Sequence, residues 1–221
     1  MAGHLYRTVL WTLLGCVLGA ASTPVAALSL GQIDNFQGAS DAGWSAGLVS
    51  PRPPSVVANG GPAGVGDAYL SIEALAGVGA GSRLTVIAGP QWAGNYLGAG
   101  VERIELDANN LGGTAVDLRL YLLGPLGAYA LSTNALALAP GSGWTHLSFS
   151  LLGAALTGQT QVTLVDVQQL RLFSSPTAVY PGPALQTTLG IDNVSAVPEP
   201  QAAWLLLPGL ALLSAMRLRR T

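Results

Sequence analysis

Residues 115–123, AVDLRLYLL, place Val116, Leu118, Leu120 and Leu122 on one side of an extended chain and Asp117, Arg119 and Tyr121 on the other. A period of two is the pattern of a strand with one buried and one wet face, and it does not fit the 3.6-residue turn of a helix. The same alternation recurs. GVERIELDA sets Ile104 and Leu106 against Arg103, Glu105 and Asp107, and WTHLSFSLL sets Leu147, Phe149 and Leu151 against Trp144, His146, Ser148 and Ser150. QQLRLF sets Leu170 and Leu172 against Gln169, Arg171 and Phe173. Further strands are expected at 32–36, 55–59, 69–74, 83–88, 129–138 and 189–195, with NGGPAGVGD, NNLGG, APGSG and YPGP as turns between them. Helical periodicity is weak between the two ends of the chain, apart from one turn at LLGAALTG. Many short antiparallel strands at this spacing predict an all-β fold, an antiparallel β-sandwich of the jelly-roll type.

The two ends read differently. Residues 1–27 carry Arg7, an apolar run and a small-residue exit, with Val25 and Ala27 at the −3 and −1 positions of a signal peptidase site. The mature chain is then expected to begin at Leu28. Cys16, in LLGC, is the alternative exit as a lipoprotein cysteine. At the other end come Val197, Pro198, Glu199 and Pro200, an uncharged apolar segment at 202–216, and Arg217, Arg219 and Arg220 in the basic tail 217–221. As a helix the apolar segment reaches roughly 22 Å, somewhat short of the ~30 Å hydrocarbon core of a bilayer. The arginines suit its cytoplasmic side, and a segment that is apolar all round is a poor surface helix. It is therefore expected to be a transmembrane helix.

A signal peptide, a Pro-Glu-Pro, a short membrane segment and an arginine cluster, in that order, resemble the PEP-CTERM proteins of Gram-negative bacteria. That resemblance covers about the last 25 residues. It implies export through signal peptidase, a transient stay in the inner membrane, and a sorting signal (197–221) read by an exosortase. Delivery to the cell surface or the exopolysaccharide matrix would follow.

What is delivered is the domain at 28–196. It holds seven aspartates and three glutamates against five arginines, a net charge near −5, with no lysine and no cysteine. A GxxxxGK[ST] phosphate loop is impossible without lysine, and a basic stripe for nucleic acid is absent. Without Cys16 the exported domain has no disulfide and no thiolate metal site.

DNFQGASDAGWSAG near the start of this domain and LGIDNVSA at its end carry a second resemblance. The phrases Asp34-Asn35-Phe36, Gly43-Trp44, Gly66-Asp67-Ala68-Tyr69-Leu70 and Ile191-Asp192-Asn193-Val194 look like those of jelly-roll carbohydrate-binding modules, whose first and last strands lie side by side. The resemblance implies a galactose-binding-like jelly roll with a glycan-binding or purely structural role. It also implies a structural calcium ion near the terminal strands, with Asp34, Asp67 and Asp192 as ligands. Calcium needs six to eight oxygens, and the glycines before Asp67 free several carbonyls. The alternative is that these aspartates cap turns and strand ends.

Catalytic patterns are sparse. His146 is the single histidine of the domain, no cysteine completes a zinc site of the N/S type, and G-x-S-x-G is absent from any strand–turn–helix context. Glu105 and Asp107 share a face and are the best acid pair for glycoside hydrolysis. Binding chemistry is better represented: Glu105, Arg119, Tyr121, His146 and Arg171 are expected to face solvent from one sheet, where guanidinium forks and tyrosine rings suit sugars. The competing reading is an ordinary wet face with cross-strand ion pairs. Trp44 and Trp92 either cap the core or stack on a sugar. The expected protein is thus an exported, non-catalytic sandwich with a structural or glycan-binding role in the exopolysaccharide matrix. The alternative is a matrix-active polysaccharide-processing enzyme.

Overall fold

The computed structural model describes residues 28–47 and 50–198. The described residues form twelve strands: β1 (Ile33–Asp34), β2 (Ser55–Val57), β3 (Tyr69–Leu75), β4 (Thr85–Ile87), β5 (Arg103–Asn110), β6 (Val116–Leu123), β7 (Tyr129–Ser132), β8 (Leu136–Leu138), β9 (Thr145–Ser150), β10 (Leu156–Gly158), β11 (Gln169–Ser174) and β12 (Gln186–Val197). Two short helices, α1 (Tyr96–Ala99) and α2 (Thr160–Val165), lie between strands. One antiparallel sheet runs β2-β3-β12-β5-β9, with β1 paired to the far end of β12. The other runs β10-β7-β6-β11-β4, with β8 beside β6. The result is an all-β antiparallel sandwich of two sheets, as the alternation predicts.

The terminal strands lie side by side, Ile33 opposite Ser195 and Asp34 opposite Val194. The register of β12 against β5 slips between Asp192 and Ser195. Asn193 sits there at φ +51°, a left-handed conformation that asparagine tolerates better than most side chains. The bulge explains the Asp-Asn pair: it keeps Ile191 and Val194 both inward although they are three apart.

The inward rows meet in one core. Ile104, Leu106, Leu118, Leu120, Leu122, Leu170 and Ile191 are fully buried, joined by Leu147 and Phe149. Departures from the sequence reading appear: α1, α2 and β10 are absent from it, and two more bear on the sheets. The run 129–138 is two strands, broken at residues 133–135, because β7 pairs one half of β6 while β8 pairs the other. Phe173, on the wet phase of β11, is fully buried; Tyr180 packs edge-on against it with ring centres 5.1 Å apart.

The signal peptide with Cys16, Glu199 and Pro200 of the sorting motif, the segment 202–216 and the arginines at 217, 219 and 220 lie outside the described residues. Among the described residues no helix is long and apolar enough to cross a membrane. Val197 ends β12, and the carbonyl of Pro198 accepts from Arg103 Nη2 at 3.3 Å.

Leu118→Ala and Phe149→Ala should each lower unfolding free energy by about 2–5 kcal/mol, from lost burial and a residual cavity. Ser148→Ala, on the wet face of β9, should stay within ~0.5 kcal/mol. Urea titration of the three variants checks this, and equal effects would mean a strand phase one residue off.

Candidate functional site

The five residues expected on one sheet are divided between two. Glu105 and His146 stand on β5 and β9, whereas Arg119, Tyr121 and Arg171 belong to β6 and β11 of the other sheet. Glu105 and His146 form an exposed ion cluster. His146 Nδ1 lies 3.0 Å from Asp107 Oδ1 and its Nε2 is 3.6 Å from Glu105 Oε2, while Arg103 Nε is 3.3 Å from Glu105. Asp107 Oδ2 also accepts from Asn193 Nδ2 at 2.8 Å. Apart from Arg103 and Glu105, which share β5, this is cross-strand pairing on a wet face, where each such pair contributes little.

The second sheet presents something different. Across β7, β6, β11 and β4 the register aligns Leu131, Tyr121, Arg171 and Ile87 in one row on the outer face. Tyr129 joins from β7, its ring stacked on Tyr121 with centres 5.8 Å apart. Tyr180 comes from the segment after β11 and stacks on the same Tyr121 at 4.5 Å. The Arg171 guanidinium lies 5.5 Å from the ring centre of Tyr121 and 5.2 Å from that of Tyr180, within cation–π range. Its Nε and Nη2 donate to Gln169 Oε1, and its Nη1 donates to the Tyr180 hydroxyl at 2.8 Å. Burial pushes the Tyr121 phenol above its ordinary range, with the Arg171 charge acting against that.

Tyr180 separates two hollows. One of about 220 Å³ is lined by Tyr121, Tyr129, Leu131, Ala178, Val179 and Tyr180. The other, about 280 Å³, is bounded by Glu73, Arg83, Thr85, Ile87, Tyr180, Pro181, by Ala46, Gly47 and Ser50, and by the loop at 79–81. Three tyrosines and a guanidinium thus form a partly exposed platform between shallow hollows. It can stack on the apolar face of a flat ring and donate hydrogen bonds at its edges.

Arg119 is no contact residue. It follows the outward phase of β6 yet is 4% exposed, and all its hydrogen bonds go to carbonyls. Nε donates to Ser175 O, Nη1 to Ser132 O and Thr133 O, and Nη2 to Pro176 O, at 2.8–3.1 Å. It pins the end of β7 to the segment leading to Tyr180. Burial pulls its pKa down, and Asp117 opposes that. Tyr129 and Tyr180 were missed in the sequence. Tyr180 lies in the turn signal YPGP, and nothing local says that this turn folds back over the sheet. Trp44 and Trp92 are at most 2% exposed and cap the core.

The expected calcium ligands separate as well. Asp34 Oδ2 accepts from Trp44 Nε1 and Trp92 Nε1, both at 2.7 Å, and from Gln91 Nε2 at 3.0 Å. It is a core clasp, not a free ligand. Asp192 is fully buried, and neither of its carboxyl oxygens has a hydrogen-bond partner among the described residues. Burial pushes its pKa up to about 7; the nearby Asn193 backbone N–H works against the rise, and the charges of Asp67 and Asp107 add to it. Asp67 already accepts from Gln37 Nε2 and the Ala63 N–H. Among the described residues no group of three or more His, Cys, Asp or Glu is disposed to hold a metal. Asp192 and Asp67 retain lone pairs, but two carboxylates supply at most four of the six to eight oxygens that calcium takes, and the Asp34 Oδ2 is already engaged.

No protein-family model matches the chain, and no curated protein matches it in sequence. Among solved structures it is similar to an exo-β-agarase at a TM-score of 0.55 and 12% identity, over 78% of this chain and 26% of that one. It is also similar to the family 11 carbohydrate-binding module from Clostridium thermocellum, solved in complex with a β-1,3-1,4-mixed-linked tetrasaccharide. There the TM-score is 0.51 at 11% identity, over 77% of this chain and 97% of the module. The chain therefore matches about a quarter of the agarase and nearly all of the module. At these identities the likeness shows the fold, a jelly roll.

Folded Asp192 keeps its proton to about pH 7, whereas the unfolded chain releases it near 3.8. The folded state binds more protons between those values, so stability falls as pH rises through that window. With chelator present, the stability of Asp192→Asn relative to wild type should rise by on the order of 2–4 kcal/mol between pH 4 and pH 8.5. Excess calcium at pH 8.5 checks the cation reading, which requires stabilisation of the wild type and none of Asp192→Asn. Arg119→Met leaves four carbonyls unpaired and should cost about 3–5 kcal/mol. Proteolysis under native conditions should then cut first within residues 175–181.

Proposed function

We propose that this protein is an exported, non-catalytic β-sandwich that binds a polysaccharide through the outer face of its second sheet. The observation that carries the proposal is the platform of Tyr121, Tyr129 and Tyr180 around Arg171, flanked by two shallow hollows. Stacked tyrosines with wet edges bind pyranose rings by covering their apolar C–H face while hydroxyls pair at the rim. Support comes from the jelly roll shared with a carbohydrate-binding module. The acid pair nearest to hydrolytic geometry, Glu105 and Asp107, stands on the other sheet and is occupied by His146, Arg103 and Asn193. The reading is therefore binding without cleavage.

Localisation belongs to the same proposal. Residues 1–27 direct export through signal peptidase, and residues 197–221 act as a PEP-CTERM signal for an exosortase. The domain passes through the inner membrane to the cell surface or exopolysaccharide matrix. The supporting feature is the order Pro198-Glu199-Pro200, apolar segment, arginines.

Isothermal titration against a panel of polysaccharides should detect binding without release of reducing sugar. Tyr121→Ala and Tyr180→Ala should each weaken it about tenfold or more, while His146→Ala should leave it unchanged. Loss of binding with His146→Ala and not with Tyr121→Ala would move the site to the first sheet. Deleting residues 197–221 should turn a surface-retained protein into a soluble exported one; full-length chain in the cytoplasm would overturn the sorting proposal.

A further inference from the structure

The charges of this domain are segregated. The outer face of the first sheet gathers Asp67, Asp107, Glu105 and the buried Asp192. Three of the five arginines of residues 28–196, Arg83, Arg119 and Arg171, belong to the second sheet or its edge. Of these, Arg119 and Arg83 hold backbone carbonyls, Arg83 Nε that of Gly182 at 2.8 Å. Arg171 is different: its hydrogen bonds go to the Gln169 amide oxygen and the Tyr180 hydroxyl, both neutral. Among the described residues no carboxylate lies within ion-pair distance of it, since every pair within 4 Å involves Arg52, Arg103 or His146. A guanidinium has five N–H groups, and the three hydrogen bonds above leave two without an acceptor.

The hollow beside Tyr121 is lined without any acidic side chain. Glu73, which borders the other hollow, is 3.5 Å from Arg52. The hydroxyls of a neutral sugar both donate and accept, and a site for them is served by a balance of donors and acceptors. This face instead offers phenol and guanidinium donors around an uncompensated cation, in a domain otherwise acidic. We infer that the polysaccharide bound at the tyrosine platform is anionic, a chain whose pyranose rings carry carboxylate or sulfate groups, with Arg171 as the residue that selects for them. Stacking on the tyrosines holds the ring, and the anion neutralises Arg171 through its two open N–H groups. A charge-assisted contact of this kind discriminates most strongly where the cation has no internal counter-ion.

The inference rests on the platform being the glycan site, and the test separates the two. The purified full-length protein is titrated with polygalacturonate, a sulfated galactan, a neutral mixed-linkage β-glucan and agarose, at low and at moderate salt. An anionic chain should bind at least roughly tenfold more tightly than either neutral one, and salt should reduce the gap. Preference for polygalacturonate assigns the carboxylate, and preference for the galactan assigns the sulfate. Arg171→Gln should abolish the preference, Arg171→Lys should retain part of it, and Arg103→Gln on the opposite sheet should not change it. Should Arg171→Gln fail to fold, the salt dependence and Arg171→Lys decide. Neutral chains bound as well as anionic ones, with binding lost in Tyr121→Ala, would overturn the anionic assignment and keep the platform. A preference untouched by Arg171→Gln, or lost equally with Arg103→Gln, would also overturn it. No binding to any of the four chains would overturn both.

Discussion

A single carboxyl oxygen ties the beginning of this fold to its core. Asp34 Oδ2, 9% exposed at residue level, accepts from two indole N–H groups and one amide, all within 3.0 Å. Its donors come from the turn before residue 45 and from the 90–92 turn that follows β4. Trp44 packs edge-on between Phe36 and Trp92, with ring centres 6.2 and 6.4 Å apart. Two large aromatics can thus be buried completely because their polar edges find an acceptor, and β1, which pairs with β12 through its backbone, is tied by the same contact to the turn at 90–92. An Asp34 carboxylate serving a metal could not close the sandwich in this way.

The two wet faces then follow different rules. On the first sheet, acids, one histidine and two arginines pair with one another within and across strands, and Asp192 lies buried beneath them with no hydrogen-bond partner among the described residues. The aromatic pair there, Tyr69 and Trp144, covers Gly190: a Cβ at that position would meet both rings at 3.0–3.1 Å. On the second sheet Tyr129 likewise lies against Gly158 of β10, but the rings of that sheet also serve one another. They stack on one another around Arg171 and stay partly open. A domain with a net charge near −5 keeps the arginines that have no carboxylate partner among the described residues, Arg83, Arg119 and Arg171, on that sheet or its edge, and only Arg171 sits within the tyrosine cluster.

The platform is also indirect in its construction. Tyr121 and Arg171 are set by register alone, as cross-strand partners on β6 and β11. Tyr180 depends on Arg119, whose fork holds the carbonyls of Ser175 and Pro176, and on Phe173, which supports its ring. A buried arginine bound only to carbonyls orders a segment that has no secondary structure of its own.

The period of two determined most of the fold from the sequence alone. Leu118, Leu120, Leu122, Ile104, Leu106, Leu170 and Leu172 are inward because a strand with one apolar row has one way to bury it, whatever its partners. The outward phase of Tyr121 and Arg171 was legible for the same reason. Tertiary structure decided which strands share a sheet, because hydrogen-bond partners lie far apart in sequence and each amphipathic strand suits either layer. Hence Glu105 and His146 parted from Tyr121. It also decided burial on the outward phase: Arg119 and Phe173 alternate as wet residues, but a segment distant in sequence closes over them. Asp34 and Asp192, alike in the sequence as aspartates on paired terminal strands, diverged because one meets three N–H donors and the other meets none.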